Sequence, residues 1–165
     1  MNILETKPIS TIRRNHGIEH ATVHVLTEWD PEIRLVGRAD NNGFNIYGDV
    51  PTELLEKATN EALDRMKHGQ GKLAVHPRCG TQIVVGGLLT GLAAAAALGR
   101  RPKLSKLPDA IVATTLAAFV SQPLGLMVQE KITTSPDVAG AHFKSVTKHK
   151  LGNFEYQHVD IEWDE

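Results

Sequence analysis

Cysteine is almost missing from this chain: Cys79 is alone among 165 residues. No internal disulfide can therefore form, and the thiol is left as a small buried side chain, a metal ligand or a reactive group. Aromatic residues are scarce too, at 5%, which argues against a base-stacking surface. Net charge is close to nil, a formal −1 with a pI of about 6.7, so no global basic field is available and no nucleic-acid partner is expected. The opening residues, MNILETKPISTIRR, lack the apolar centre of a secretion signal, and no cleaved targeting segment is expected. Internal repeats are missing as well.

What the chain does have is uncharged length. Its mean hydropathy of −0.20 averages over two very different regions. Between Arg78 and Arg100 lie 21 residues without a charge, CGTQIVVGGLLTGLAAAAALG, and between Asp109 and Glu130 lie another 20, AIVATTLAAFVSQPLGLMVQ. Roughly 20 apolar residues suffice for a helix to cross a bilayer, so the pair reads as a transmembrane hairpin. The alternative is two buried helices of a soluble bundle, which seldom stay uncharged for so long. Gly87, Gly91, Ala95 and Gly99 recur at four-residue spacing in the first segment, and Ala113, Ala117 and Ser121 in the second. Such small-residue stripes predict close helix packing in lipid. Pro123 is expected to kink or loosen the end of the second segment.

The connection RRPKLSKLP carries Arg100, Arg101, Lys103 and Lys106 without an acid, which places it in the cytoplasm by the positive-inside rule. Arg65, Lys67, Lys72 and Arg78 before the first segment argue the opposite way, so orientation stays open.

The polar remainder falls on both sides of the hairpin. Ser10 can cap a helix over residues 11–28 with loosely periodic Ile12, Ile18, Val25 and Leu26. Two short strands are expected around Asn41-Asn42-Gly43, residues that accept positive φ. PTELLEKATNEALDRMKHG predicts a second helix, with Pro51 in its first turn, an apolar stripe of Leu55, Ala58, Ala62 and Met66, and Gly69 at its end. KLAVH reads as a further short strand, and HFKSVTKHKL with NFEYQHVDIEW as a hairpin turning at Gly152-Asn153. The predicted class is thus an α+β headpiece with a two-helix transmembrane hairpin: headpiece 1–78, hairpin 79–130, and a β-rich tail 131–165 packing on the headpiece.

The chemistry is concentrated in RRNHGIEHATVHVL. HGIEH satisfies H-x-x-E-H, in which helical spacing puts His16, Glu19 and His20 on one face. Two imidazoles can hold Zn²⁺ while the carboxylate takes a proton from a metal-bound water. Gly17 inside the motif costs helix stability. Near the first apolar segment, HPRCGT supplies His76 and Cys79, both of them ordinary zinc ligand types. The expected metal set is therefore His16, His20, His76 and Cys79, with Glu19 as the catalytic base. Three ligands leave an open position for hydrolysis of an amide or ester; four close the shell and make the ion structural. Alternatively the histidines form a polar helix face and Cys79 is a small apolar residue. His24 is assigned to the surroundings of the site or to solvent.

RNHGIEHATVHV, HPRCGT and PLGLMVQEKITTSPD, in that order, resemble the YqhQ-like family of uncharacterised bacterial membrane proteins. The resemblance picks out His16, Gly17, Glu19 and His20, then His76, Arg78, Cys79, Gly80 and Thr81, and then Gln129, Thr133, Thr134, Pro136 and Asp137. It implies a bacterial membrane location and supplies no reaction. Two functions follow as expectations: a small integral membrane protein with a zinc site at the membrane surface, hydrolase-like, or a non-catalytic membrane subunit whose hairpin packs in a larger complex. Membrane lipid, partner transmembrane helices and a second copy of the chain are the expected partners.

Overall fold

Apolar spacing accounts for the first helices. In α1 (Ile9–Trp29), Ile18, Ala21, Val25 and Leu26 fall on one face and are fully buried. In α2 (Thr52–Lys67), Leu55, Ala58, Ala62 and Met66 form the inward stripe that their spacing predicts. Both helices are seen in a computed structural model that describes residues 3–100, 103–152 and 154–164. Ser10 lies inside α1 rather than at its cap, because the helix begins at Ile9, two residues before the expected start, and Pro8 takes the cap position.

Alternation by two builds the sheet. Strands β1 (Leu35–Ala39) and β2 (Gly43–Gly48) flank the Asn41–Asn42 turn, and β3 (Ala141–Leu151) and β4 (Phe154–Trp163) form a second hairpin. All pairings are antiparallel in the order β1-β2-β4-β3, with Phe44 opposite Val159 in the β2–β4 register. Phe44, Ile46, Val159 and Ile161 point to one face and join the core of α1 and α2. Tyr47, Tyr156 and His149 share the other face, stacked at ring distances of 5.2 and 5.1 Å. At the β3–β4 turn Gly152 adopts φ 63°, a left-handed conformation that favours glycine. Asn153 of that turn lies outside the described residues, as do Arg101 and Pro102 of the basic connection.

The KLAVH segment is not a strand. Gly71–Ala74 form a 3₁₀ turn, and Ala74 packs into the core. Buried polar side chains then lock the layers. Asn15, fully buried on α1, donates to the Asp40 carbonyl (2.8 Å) and accepts from the Trp163 indole (3.1 Å). Gln157 of β4 donates to the Val50 carbonyl (2.6 Å) and accepts from Thr52 (2.7 Å), fixing the start of α2.

The chain divides into two units, Met1–His76 with Glu130–Glu165, and Pro77–Gln129. The second consists of α3 (Gly80–Leu98) packed on α4 (Leu107–Val128), both long and apolar enough to cross a membrane. Helix α4 runs on through Pro123, and a π-helical turn, Gln129–Thr133, follows it. Their contact uses small residues, although not the first stripe expected. Ser121 faces Gly86, and Gly125 lies so close to the Gln82 amide that a β-carbon there would overlap it. Gly87 and Gly91 are exposed, with no described atom within 4 Å of where a β-carbon would sit. The inward stripe of α3 is therefore shifted by one residue, while Ala113, Ala117 and Ser121 of α4 do turn inward.

Replacing Asn15 with Leu leaves the Trp163 N–H and the Asp40 carbonyl without their partner. This should cost about 2–4 kcal/mol, read as a lowered denaturation midpoint of the purified protein.

Candidate metal centre

Helical geometry sets His16, His20 and His24 in a row, one turn apart along α1. Two irregular segments of the same unit run past this row and fix its imidazoles through their backbone carbonyls. His16 Nδ1 lies 2.9 Å from the Thr133 oxygen, and His20 Nδ1 lies 2.8 Å from the Ala74 oxygen. His24 uses its other nitrogen, with Nε2 at 3.0 Å from the Val75 oxygen. A carbonyl oxygen can only accept, so each contacting nitrogen carries the proton. In their neutral forms His16 and His20 thus present a basic Nε2, and His24 a basic Nδ1. An imidazole whose N–H is held by a carbonyl is the usual arrangement of a metal-binding histidine, because the bond fixes both tautomer and ring orientation.

Close approach of these segments depends on glycine. A β-carbon on Gly17 would overlap the Ser135 carbonyl and crowd Ala74 at 3.2 Å. The Ser135 N–H donates to the Arg13 carbonyl at 2.9 Å, Arg13 donates to the Thr134 carbonyl at 3.1 Å, and Arg14 pairs with Asp137 at 2.6 Å. The helix-propensity cost of Gly17, roughly 1 kcal/mol, is offset by this contact.

Glu19 is the buried acid of the group, 5% exposed, with a carboxylate oxygen 3.8 Å from His16 Nε2. Burial pushes its carboxyl up to about 7, and the neighbouring His16 partly opposes that rise. Behind it stands Gly37 of β1, where an added β-carbon would overlap the Glu19 side chain. His76 completes the array, its ring 5.9 Å from that of His20 and 4.6 Å from that of His24; the His16 and His20 rings are 4.3 Å apart.

The first unit therefore brings together His16, Glu19, His20 and His76, four of the residues singled out in the sequence, and adds His24. Cys79 belongs to the second unit, where it caps α3 by accepting from the Thr81 N–H at 3.4 Å. What the sequence did not reveal are Gly37 and the accepting backbone carbonyls of Ala74, Val75 and Thr133, the last a residue picked out there without a role. Backbone acceptors leave no compositional trace, and Gly37 sits in a strand with no motif around it.

The chain belongs to the family described as "Domain of unknown function (DUF6391)", whose model matches residues 11–146. It is also 39% identical over 135 residues to an uncharacterized protein of Picosynechococcus sp., covering 75% of this chain and 66% of the relative, so it spans slightly under two thirds of that protein's length. No solved structure matches the chain. The family reading thus holds at the level of an uncharacterised family with a bacterial relative, and the YqhQ-like name is not carried by it.

Two outcomes test this geometry. Gly37→Ala should destabilise the protein by about 1–3 kcal/mol, and Glu19→Ala should suppress that loss in the double variant; strictly additive effects would refute the contact. In metal-stripped protein, the Glu19 carboxyl has a higher pKa folded (about 7) than at its ordinary value of 4.5, so the folded state holds the extra proton between these values. Stability then falls as pH rises from about 4.5 to about 7, by on the order of 3 kcal/mol in all. Glu19→Gln should flatten this slope in denaturation curves taken across that range.

Proposed function

We propose that this chain is a small integral membrane protein carrying a zinc-type metal centre, with His16 and His20 as ligands and Glu19 as the proton acceptor of a hydrolytic reaction. The observation that carries the reading is the pair of Nδ1-anchored imidazoles one helical turn apart with a buried carboxylate beside them. A divalent ion held there supplies Lewis acidity toward water and carbonyl groups. Glu19 is suited to accept and return a proton near neutral pH, since burial brings its pKa to about 7.

Membrane insertion is supported by what α3 and α4 leave uncovered. None of the apolar window in Gly80–Leu98 is buried within the chain, and 11% of that in Leu104–Thr133 is. Core helices of a soluble protein would be mostly covered. Ile83, Val84, Leu88, Ile111, Leu116 and Phe119 are all more than 60% exposed, an apolar surface that water would penalise and hydrocarbon would not. Lipid is the primary partner in this reading, with other transmembrane helices or a second copy packing on the same surface.

A structural ion is the second reading. His76 lies within ring contact of His20, and its recruitment as a further ligand would help to close the shell and leave Glu19 to orient His16. The chain would then be a non-catalytic subunit of a larger membrane assembly.

Elemental analysis of detergent-purified protein should find one metal ion per chain in wild type and its loss in His16→Ala and in His20→Ala. Metal-free wild type whose stability is unchanged by His16→Ala with His20→Ala overturns both readings. Glu19→Gln should retain the ion and lose hydrolysis of casein or nitrophenyl ester probes; retained ion with no wild-type hydrolysis favours the structural centre. Alkaline carbonate should leave the protein in the membrane pellet, and its release would refute insertion.

A further inference from the structure

The histidine row of α1 continues past the residues used so far. His24, one turn beyond His20, is half-buried and packs edge-on against His76 at 4.6 Å. Its Nε2 proton is committed to the Val75 carbonyl, which leaves Nδ1 as the basic atom of its neutral ring. His20, by contrast, is 3% exposed and is anchored one residue earlier on the same turn, at Ala74. Consecutive carbonyls of one chain segment thus hold two imidazoles by opposite nitrogens. The result is one buried imidazole, His20, beside two partly exposed ones, His24 and His76.

Ring spacing is consistent with chelation. With nitrogen–zinc bonds of about 2 Å, two imidazoles on one tetrahedral ion have ring centres about 5 Å apart. The His24–His76 separation of 4.6 Å and the His20–His76 separation of 5.9 Å fall on either side of that value. His76 is therefore placed to share an ion with either neighbour after small ring rotations.

We propose that His24 and His76 form a second, outer divalent-metal site that loads the inner one through His76. The proposal rests on the metal reading of His16 and His20 and explains how an ion reaches a histidine as buried as His20. Two imidazoles and water, without the carboxylate that stands beside the inner pair, make a weaker site, so the outer ion is held loosely and exchanges. Assigning His76 to the outer pair also leaves the inner shell with the open position that hydrolysis requires.

The test is a titration of the metal-stripped full chain in detergent with Zn²⁺, followed by calorimetry, with uptake rates read by Co²⁺ absorption. Wild type should bind two equivalents, the second at least about tenfold more weakly. His24→Gln, which still offers an N–H to the Val75 carbonyl, should lose the weak equivalent, keep the tight one and fill it several-fold more slowly. One equivalent in wild type, or a second equivalent that persists with unchanged uptake in His24→Gln, overturns the outer site while leaving the inner centre standing. Loss of the tight equivalent in His76→Gln but not in His24→Gln would instead assign His76 to the inner shell. Binding of no equivalent at all removes the inner centre together with the outer one.

Discussion

The contact on which the site depends is between imidazole N–H groups and the backbone carbonyls of two irregular segments. Residues 74–75 and 133–135 run past α1 as turns, so their carbonyls need donors from outside their own segment. The histidines of α1 need fixed rings. Each requirement is met by the other: Thr133, Ala74 and Val75 accept from His16, His20 and His24. Orientation, tautomer and the path of the chain are settled by the same three bonds.

Glycines make that contact sterically allowed. Gly17 admits the Ser135 backbone, and Gly37 gives Glu19 its place against β1. Neither position has the positive φ that most often explains a glycine; the reason in both is space. Burying a carboxyl without a strong cation beside it is expensive, and the raised pKa of Glu19 expresses that cost. Retaining an acid there is easier to understand in a site that handles protons than in a simple core.

The helical hairpin follows a different logic. Its interior places Gly86 against Ser121 and Gly125 under the Gln82 amide, and its exterior is made of large aliphatics. Water would favour the reverse arrangement. Hydrocarbon, which neither drives nor opposes burial of aliphatic side chains, would let close packing of small residues decide which faces meet.

How much could be read in advance depended on whether the signal was local. The stripe Leu55, Ala58, Ala62 and Met66, the turn at Asn41–Asn42–Gly43, the C-terminal hairpin and the two uncharged stretches were legible, because periodicity and turn chemistry act over a few residues. KLAVH misled, since five apolar-alternating residues are too few to separate a strand from a packed turn. The small-residue stripe of α3 was misread by one position, because several faces of an Ala/Gly-rich helix carry equally small side chains. Composition and spacing by themselves determined the helices, the strands, the long apolar spans and the row of histidines one turn apart. Tertiary structure alone decided that β4 pairs with β2, that carbonyls from distant turns set each imidazole's proton, that Gly37 backs Glu19 and that His76 meets His24. Those are contacts between groups far apart along the chain, and a backbone carbonyl is the same in every residue, so no sequence pattern can mark it.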